Sequence, residues 1–267
     1  MAEMQETNKH YDIESHFFYQ FLDPYMKYTS GLYFTGEESL AEGILNMLNR
    51  HIEFLKYYSY PRILEIGPGW GSFSKRLSEE NLNYKYLAVN PSRVQNDFIK
   101  SRAEKNIEIV ESTFENVQLE AGSFDLIYFI GSFCHMKDKA TQLKKLYSLL
   151  APNGRIIIED TFFISEYLYQ KHAKRAETKF VQDEVFGFAE ILSLPNFLEV
   201  STGIGLQVQT LLEHSKSYSR TIDLWLEKLS LMKDHPKTEE FVRYLEIAQR
   251  GWQYTIANYL IELKKVK

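Results

Sequence analysis

An apolar run that stops abruptly in alternating glycines constrains this chain more than any other feature. Arg62-Ile63-Leu64-Glu65-Ile66 reads as a buried strand, and Gly67-Pro68-Gly69-Trp70-Gly71 follows it directly, ahead of a helical stretch from Ser72 to Glu80. Glycines at every second position let the backbone turn sharply and lie against a ligand, because no Cβ stands in the way. A ligand held there meets the N-terminus of the next helix at the carboxyl edge of a sheet. The segment from about Pro61 to Thr161 keeps the same alternation. Tyr84 to Val89, Ile107 to Val110, Phe124 to Ile130 and Arg155 to Glu159 read as strands; Gln95 to Lys105 and Ala140 to Leu150 read as helices; Pro152-Asn153-Gly154 reads as a turn. This alternation predicts βαβ units and a parallel sheet covered on both faces.

On either side the pattern changes. Residues 10–58 read as helical and aromatic, and residues 162–198 as a helical insertion. Gly205 to Leu212 and Tyr254 to Leu263 suit strands, and Thr221 to Met232 and Thr238 to Arg250 suit helices. No repeat or low-complexity linker divides the chain. One domain over residues 1–267 is therefore expected, with an N-terminal helical cap (1–60), a nucleotide-binding core (61–161), a helical insertion or lid (162–198) and the remaining sheet and helices (199–267).

Composition narrows the function. A hydrophobic share of 44% and a charged share of 25% over 267 residues fit a folded globular chain. A net charge of −5 counts against a nucleic-acid partner and against an anionic lipid surface as the place of work. The one cysteine, Cys134, excludes an intramolecular disulfide framework and a cysteine-rich zinc site. The histidines lack metal-ligand spacing, so no metal is expected. The polar start carries no apolar secretory core, and no run approaches the ~20 apolar residues of a membrane helix. A cytoplasmic protein with no stable membrane association is the expectation. The 18 Tyr and 18 Phe serve either an aromatic core or a pocket lined with rings.

The glycine spacing also discriminates among cofactors. A dinucleotide fingerprint is G-x-G-x-x-G with an acid about 20 residues on for the ribose. Here the third glycine comes one residue early and the second strand ends in Asn90. A cofactor without a pyrophosphate fits better. Glu65 suits the cationic amino group of an amino-acid-like moiety, and Asn90 can both donate to and accept from ribose hydroxyls. These features point to S-adenosylmethionine (SAM).

At these residues the chain resembles the class I SAM-dependent methyltransferases of the cyclopropane fatty acid synthase and mycolic acid cyclopropane synthase type, and the related alkaloid N-methyltransferases. The resemblance runs from His10-Tyr11-Asp12 and Phe17-Phe18 through the stretch Phe21 to Ser30, the glycine loop and Phe129 to Met136, to Tyr218-Ser219-Arg220-Thr221, Trp225 and the last strand. It implies an α/β, Rossmann-like methyltransferase fold: a mostly parallel seven-stranded sheet with an antiparallel last strand, N-terminal helices and a helical insertion after the fifth strand. It implies that Tyr28 and Thr29 contact SAM from the N-terminal segment, which closes over the cofactor. Gly67, Gly69, Trp70 and Gly71 hold its methionine part, Asn90 and Gln95 its ribose and adenosine, and Ile130 and Gly131 lie beside the sulfonium. At the adenine end, the family's acid position falls at Thr113, with Phe114 as a stacking ring.

The departures bear on the reaction. The cyclopropane synthases share a bicarbonate-binding set of Cys, Glu, His and Tyr. Those positions hold Ser30, Cys134, Glu159 and the retained Tyr218, while His135 after the Cys134 position is kept. A carboxylate in place of an anion's donors disfavours bicarbonate. The sequence thus implies a SAM-dependent methyltransferase with a small-molecule acceptor (N-, C- or O-methylation, as in specialised metabolism) rather than a cyclopropane synthase. Glu159, His135 and Tyr218 are the expected catalytic wall, with Cys134 as packing. Lys171-His172-Ala173-Lys174-Arg175 reads as a solvated helix face or a lid. Other SAM chemistry (aminocarboxypropyl transfer or cyclisation of SAM), a catalytically silent SAM-binding protein and a homodimer remain compatible with the sequence.

Overall fold

In a computed structural model, which describes residues 15–102, 104, 106–252 and 254–266, seven strands form one sheet. They are β1 (Arg62–Ile66), β2 (Lys85–Val89), β3 (Ile107–Val110), β4 (Phe124–Ile130), β5 (Leu150–Phe163), β6 (Leu206–Glu213) and β7 (Ile256–Lys265). Their order is β3-β2-β1-β4-β5-β7-β6. The first five run parallel, and β7 runs antiparallel to both β5 and β6. The stretch His10-Tyr11-Asp12 lies outside the described residues.

Strand β4 shows why the segment folds this way. Leu126, Tyr128 and Ile130 enter one core, while Ile127 and Phe129 enter the other. A strand buried on both faces needs a near-continuous apolar run, and its side chains alternate faces with a period of two. One core lies under helix α1 (Ser15–Phe21), α2 (Leu40–Ile52), α3 (Ser72–Ser78) and, later in the chain, α9 (Ser215–Leu229) and α10 (Thr238–Gly251). The other lies under α5 (Lys139–Leu149) and α8 (Leu194–Gly203). Helix α4 (Arg93–Ser101) follows β2 and starts at Ser92, whose hydroxyl accepts the Gln95 N–H as an N-cap. Helix α2 starts with a full capping box between Ser39 and Glu42.

Two elements differ from the sequence expectation in ways that matter for the site. Strand β5 is far longer than Arg155–Glu159. Its pairing with β4 jumps from Leu150 to Arg155, so the expected turn is a bulge within the strand, with Asn153 at φ 62°. At its other end, antiparallel pairing with β7 carries β5 on to Phe163. Helix α9 begins at Ser215 rather than Thr221, which puts Tyr218 and Trp225 on one helix face, both buried. The insertion consists of α6 (Glu166–His172), the short α7 (Ala176–Lys179), a π-helical turn over Phe180–Val185 and the chain leading into α8.

Candidate active site at the carboxyl edge of the sheet

The loop after β1 opens a cavity of about 190 Å³. Tyr28, Thr29, Glu65, Gly67, Gly69, Trp70, Asn90, Gln95, Thr113, Phe114, Ile130 and Gly131 all line it. Gly69 has φ 57°, and a Cβ there would meet nothing within 4 Å. It is therefore a glycine for the turn and for the open space beside it, not for packing. Gly71 is the exception among the expected cofactor residues. It lies off the cavity, where a Cβ would run into Arg102, Ile99 and Ser74. Its role is the close packing of α3 against the residues after β2, so its expected contact with the methionine part is corrected.

The walls of this cavity have unmet polar needs. Glu65 is buried and accepts the Tyr86 hydroxyl, and burial, with Glu104 adding repulsion, pushes its carboxyl up to about 8. A cation beside it would restore its charge. Asn90 donates from Nδ2 to Gln95 Oε1 at 3.2 Å and to Asn96 Oδ1 at 2.9 Å. Gln95 Nε2 is itself a buried donor with no protein partner. A ligand with an ammonium at the Glu65 end and hydroxyl oxygens near Gln95 would satisfy both groups. Glu115 and Asn116 also line the cavity beside Thr113 and Phe114, a pair the sequence reading had not included.

Tyr28, Thr29, Gly131 and His135 line this cavity and also a second one of about 420 Å³. Gly131 forms the junction. Its N–H donates to the Glu159 carbonyl at 2.7 Å, its φ is 70°, and a Cβ on it would run into Thr29 Cγ2. The second cavity is walled by Phe186, Tyr218, Tyr244 and Trp252, with Cys134, His135 and Asp160 among its polar groups. His172, Arg175, Glu177 and Arg250 line it from α6, the chain around α7, and α10. The basic stretch 171–175 thus contributes to its rim.

Glu159 is not on either wall. It is fully buried, with Lys27 Nζ at 2.8 Å from one carboxylate oxygen and His51 Nε2 at 2.6 Å from the other. Burial alone would raise its carboxyl, but Lys27 and His51 outweigh that and hold it well below the usual carboxylate range. Lys27 also bonds the Ser30 carbonyl at 2.7 Å and the Thr29 hydroxyl. The expectation of Glu159 beside the acceptor is therefore corrected: it anchors the N-terminal segment to β5 and α2. The physical reason is strand parity. Consecutive residues 159 and 160 point to opposite faces, and Asp160 is the one that reaches the second cavity. Asp160 Oδ1 accepts the Thr161 N–H at 2.7 Å, and Oδ2 accepts the Cys134 N–H at 3.1 Å. Burial, only partly offset by these donors, pushes it up to about 6.

His135 and Tyr218 do face the second cavity. The His135 ring meets the Phe188 carbonyl through Nδ1 at 2.9 Å, and burial lowers it to about 4, so the ring is neutral with its proton on Nδ1. The Cys134 thiol is raised well above its ordinary value by burial and by Asp160, which suits packing and not nucleophilic work. Ser30 is buried and donates to the Gly31 carbonyl. Sequence reasoning missed Lys27 and Asp160. Both lie in stretches it singled out, but their pairing across the fold has no local signal.

A family model described as mycolic acid cyclopropane synthetase matches residues 1–258. The chain belongs to that family. The S-adenosylmethionine-dependent methyltransferase UmaA of Mycobacterium tuberculosis is 22% identical over 95% of this chain and 94% of its own length. Among solved structures, the cyclopropane synthase MmaA2 from Mycobacterium tuberculosis matches with a TM-score of 0.87 at 19% identity, over 98% of each chain. Coclaurine N-methyltransferase, solved with N-methylheliamine and S-adenosylhomocysteine, matches with a TM-score of 0.82 at 19% identity, over 99% of this chain and 83% of that one. As a member of this family the protein is a SAM-dependent methyltransferase, and SAM is its cofactor. The first cavity fits that cofactor through the open space at Gly69, the charge-starved Glu65 and the orphaned Gln95 donor.

Proposed function

We propose that this family member methylates a small-molecule acceptor held in the second cavity, without ring closure. The observation that carries this reading is the wall shared by the two cavities, formed by Tyr28, Thr29, Gly131 and His135. When bound, the cofactor supplies an electrophilic methyl group on a sulfonium. The protein's part is alignment and a dry site. Gly131 leaves room at the junction, and Phe186, Tyr218, Tyr244 and Trp252 give the acceptor side aromatic walls. A nucleophile that carries a proton also needs a base. Asp160, at about 6, is better matched to neutral conditions than His135, at about 4.

Three features support transfer without cyclopropane formation. The Ser30 hydroxyl is turned onto its own chain, Glu159 is locked in a buried ion pair, and the Asp160 carboxylate would repel an anion in the second cavity. Nothing in this reading calls for nucleic acid or a membrane, and among the described residues no helix is long and apolar enough to cross one. Incubation of the protein and SAM with a cell extract tests the proposal by mass spectrometry. S-Adenosylhomocysteine formation that is indifferent to bicarbonate, with no cyclopropane in added unsaturated lipid, is the expected result. Methylthioadenosine would instead indicate another cleavage of SAM, and bicarbonate-dependent cyclopropane product would overturn the reading.

A further inference from the structure

Within the methyl-transfer reading, on which this inference rests, we infer that the acceptor is an amine, whose nitrogen is received by Asp160 inside an aromatic enclosure formed by Tyr218, Tyr244, Trp252 and Phe186. Asp160 is 3% exposed and lines the second cavity at the end of β5, beside the Gly131–His135 loop that borders the cofactor cavity. Two backbone N–H groups already reach the Asp160 carboxylate, but burial still outweighs them, so a cation brought to it would add to its stabilisation. Four rings line the same cavity and pack into two pairs: Tyr218 and Trp252 lie 4.7 Å apart, and Phe186 meets Tyr244 edge-on at 5.3 Å. Buried carboxylate and aromatic walls together favour an ammonium over a neutral or anionic head group. The guanidinium groups of Arg175 and Arg250 line the same cavity but belong to exposed residues, where water and salt screen them. Asp160 is the buried acid among the side chains lining the cavity and favours a cationic head group, although Lys139 behind it offsets part of its charge.

The same placement serves the reaction. An ammonium has no lone pair, so a proton must leave nitrogen before it can attack. The proton passes to the Asp160 carboxylate. The freed pair on nitrogen forms the new N–C bond while the C–S bond breaks and its electrons remain on sulfur. The product amine carries the methyl group and the positive charge.

Binding to the S-adenosylhomocysteine-loaded protein at pH 7.5, read by tryptophan fluorescence and calorimetry, tests this without turnover. The probes are phenethylamine, tyramine and tryptamine, each against its alcohol isostere. Each amine that binds should do so at least about tenfold more tightly than its alcohol, as a charge-assisted contact in a desolvated site requires. Asp160→Asn should remove most of that preference while leaving alcohol binding within about twofold, and Asp160→Glu should keep it. Because Asp160 also accepts two backbone N–H groups, a pH series on the unaltered protein provides a second measurement. The preference should fade as pH falls through 6. Of the groups on this side, the Cys134 thiol and Tyr244 are held neutral by burial, His135 is neutral down to about 4, and Lys139 is paired with Glu190; His172 on the cavity's rim would gain charge on acidification, so the series is repeated in His172→Asn. Equal binding of amine and alcohol, a preference that does not fall by several-fold between pH 7.5 and 5, a preference that survives in a folded Asp160→Asn protein, or no binding by any of the three amines overturns the inference. Methyl transfer itself would still stand in those cases, whereas failure of S-adenosylhomocysteine to bind would defeat the underlying reading.

Discussion

Lys27, His51 and Glu159 concentrate a charged triad in the interior, with all three essentially unexposed. Breaking a buried pair by removing one charge leaves the other without compensation and costs about 3–5 kcal/mol. Glu159→Gln should therefore lower the free energy of unfolding by that order, read from the shifted denaturant curve of the protein without ligand. A purely catalytic Glu159 would leave the unfolding curve where it was. Gly131 supports a second test. Alanine there would collide with Thr29 Cγ2 and sit at φ 70°, where a Cβ costs roughly 1–2 kcal/mol. Gly131→Ala should weaken S-adenosylhomocysteine binding about tenfold or more by calorimetry. Adding Thr29→Ser, which deletes the colliding methyl group, should recover part of the loss. No recovery would mean that the junction is not set by this contact.

At the scale of elements, the N-terminal segment is part of the core. Phe17, Phe18 and Phe21 of α1 are buried against Trp225 of α9 and Phe241 of α10. The Tyr28 ring packs 5.3 Å from both Phe18 and Trp225. Removing residues 10–35 to test cofactor closure would thus unroof the core and strip Glu159 of Lys27. The truncated chain should lose its cooperative unfolding transition, and not merely its affinity for SAM. A milder change, Phe18→Ala, should cost about 3–5 kcal/mol in chemical denaturation. Unfolding at wild-type denaturant concentration in either variant would show the segment to be an accessory flap.

For the whole molecule, two carboxylates give opposite pH dependences. Glu159 is depressed, so its stabilisation is present above the unfolded value of 4.5 and is lost as pH falls below it. Glu65 is raised from 4.5 to about 8. The unfolded chain releases that proton near 4.5 and the folded chain keeps it until about 8, so stability falls as pH rises between them. A cationic amino group placed beside Glu65 should displace the proton. Calorimetry of S-adenosylhomocysteine at pH 7 in buffers of different ionisation enthalpy should then show release of roughly one proton. Glu65→Gln should abolish that release. Binding without any proton exchange in the wild-type protein would mean that Glu65 does not receive the ammonium.

The sequence by itself determined the sheet and most of the residues that line the first cavity. Apolar runs of strand length and the glycine loop after β1 are local signals, and each maps onto a strand or a cavity wall. Local pattern also set the helices, to within a few residues at most ends. It did not determine which of Glu159 and Asp160 faces the second cavity, because both acids follow the same apolar run and differ only in strand parity against the rest of the fold. Nor could it reveal that Lys27 reaches Glu159, 132 residues on, or that His51 closes the pair from α2. Gly71 has the same local spacing as Gly69, yet one packs against Arg102 and Ile99 while the other borders open space. Those distinctions were decided by tertiary packing, since burial and the choice of charged partner depend on residues brought together only when the sheet, the N-terminal segment and the later helices meet.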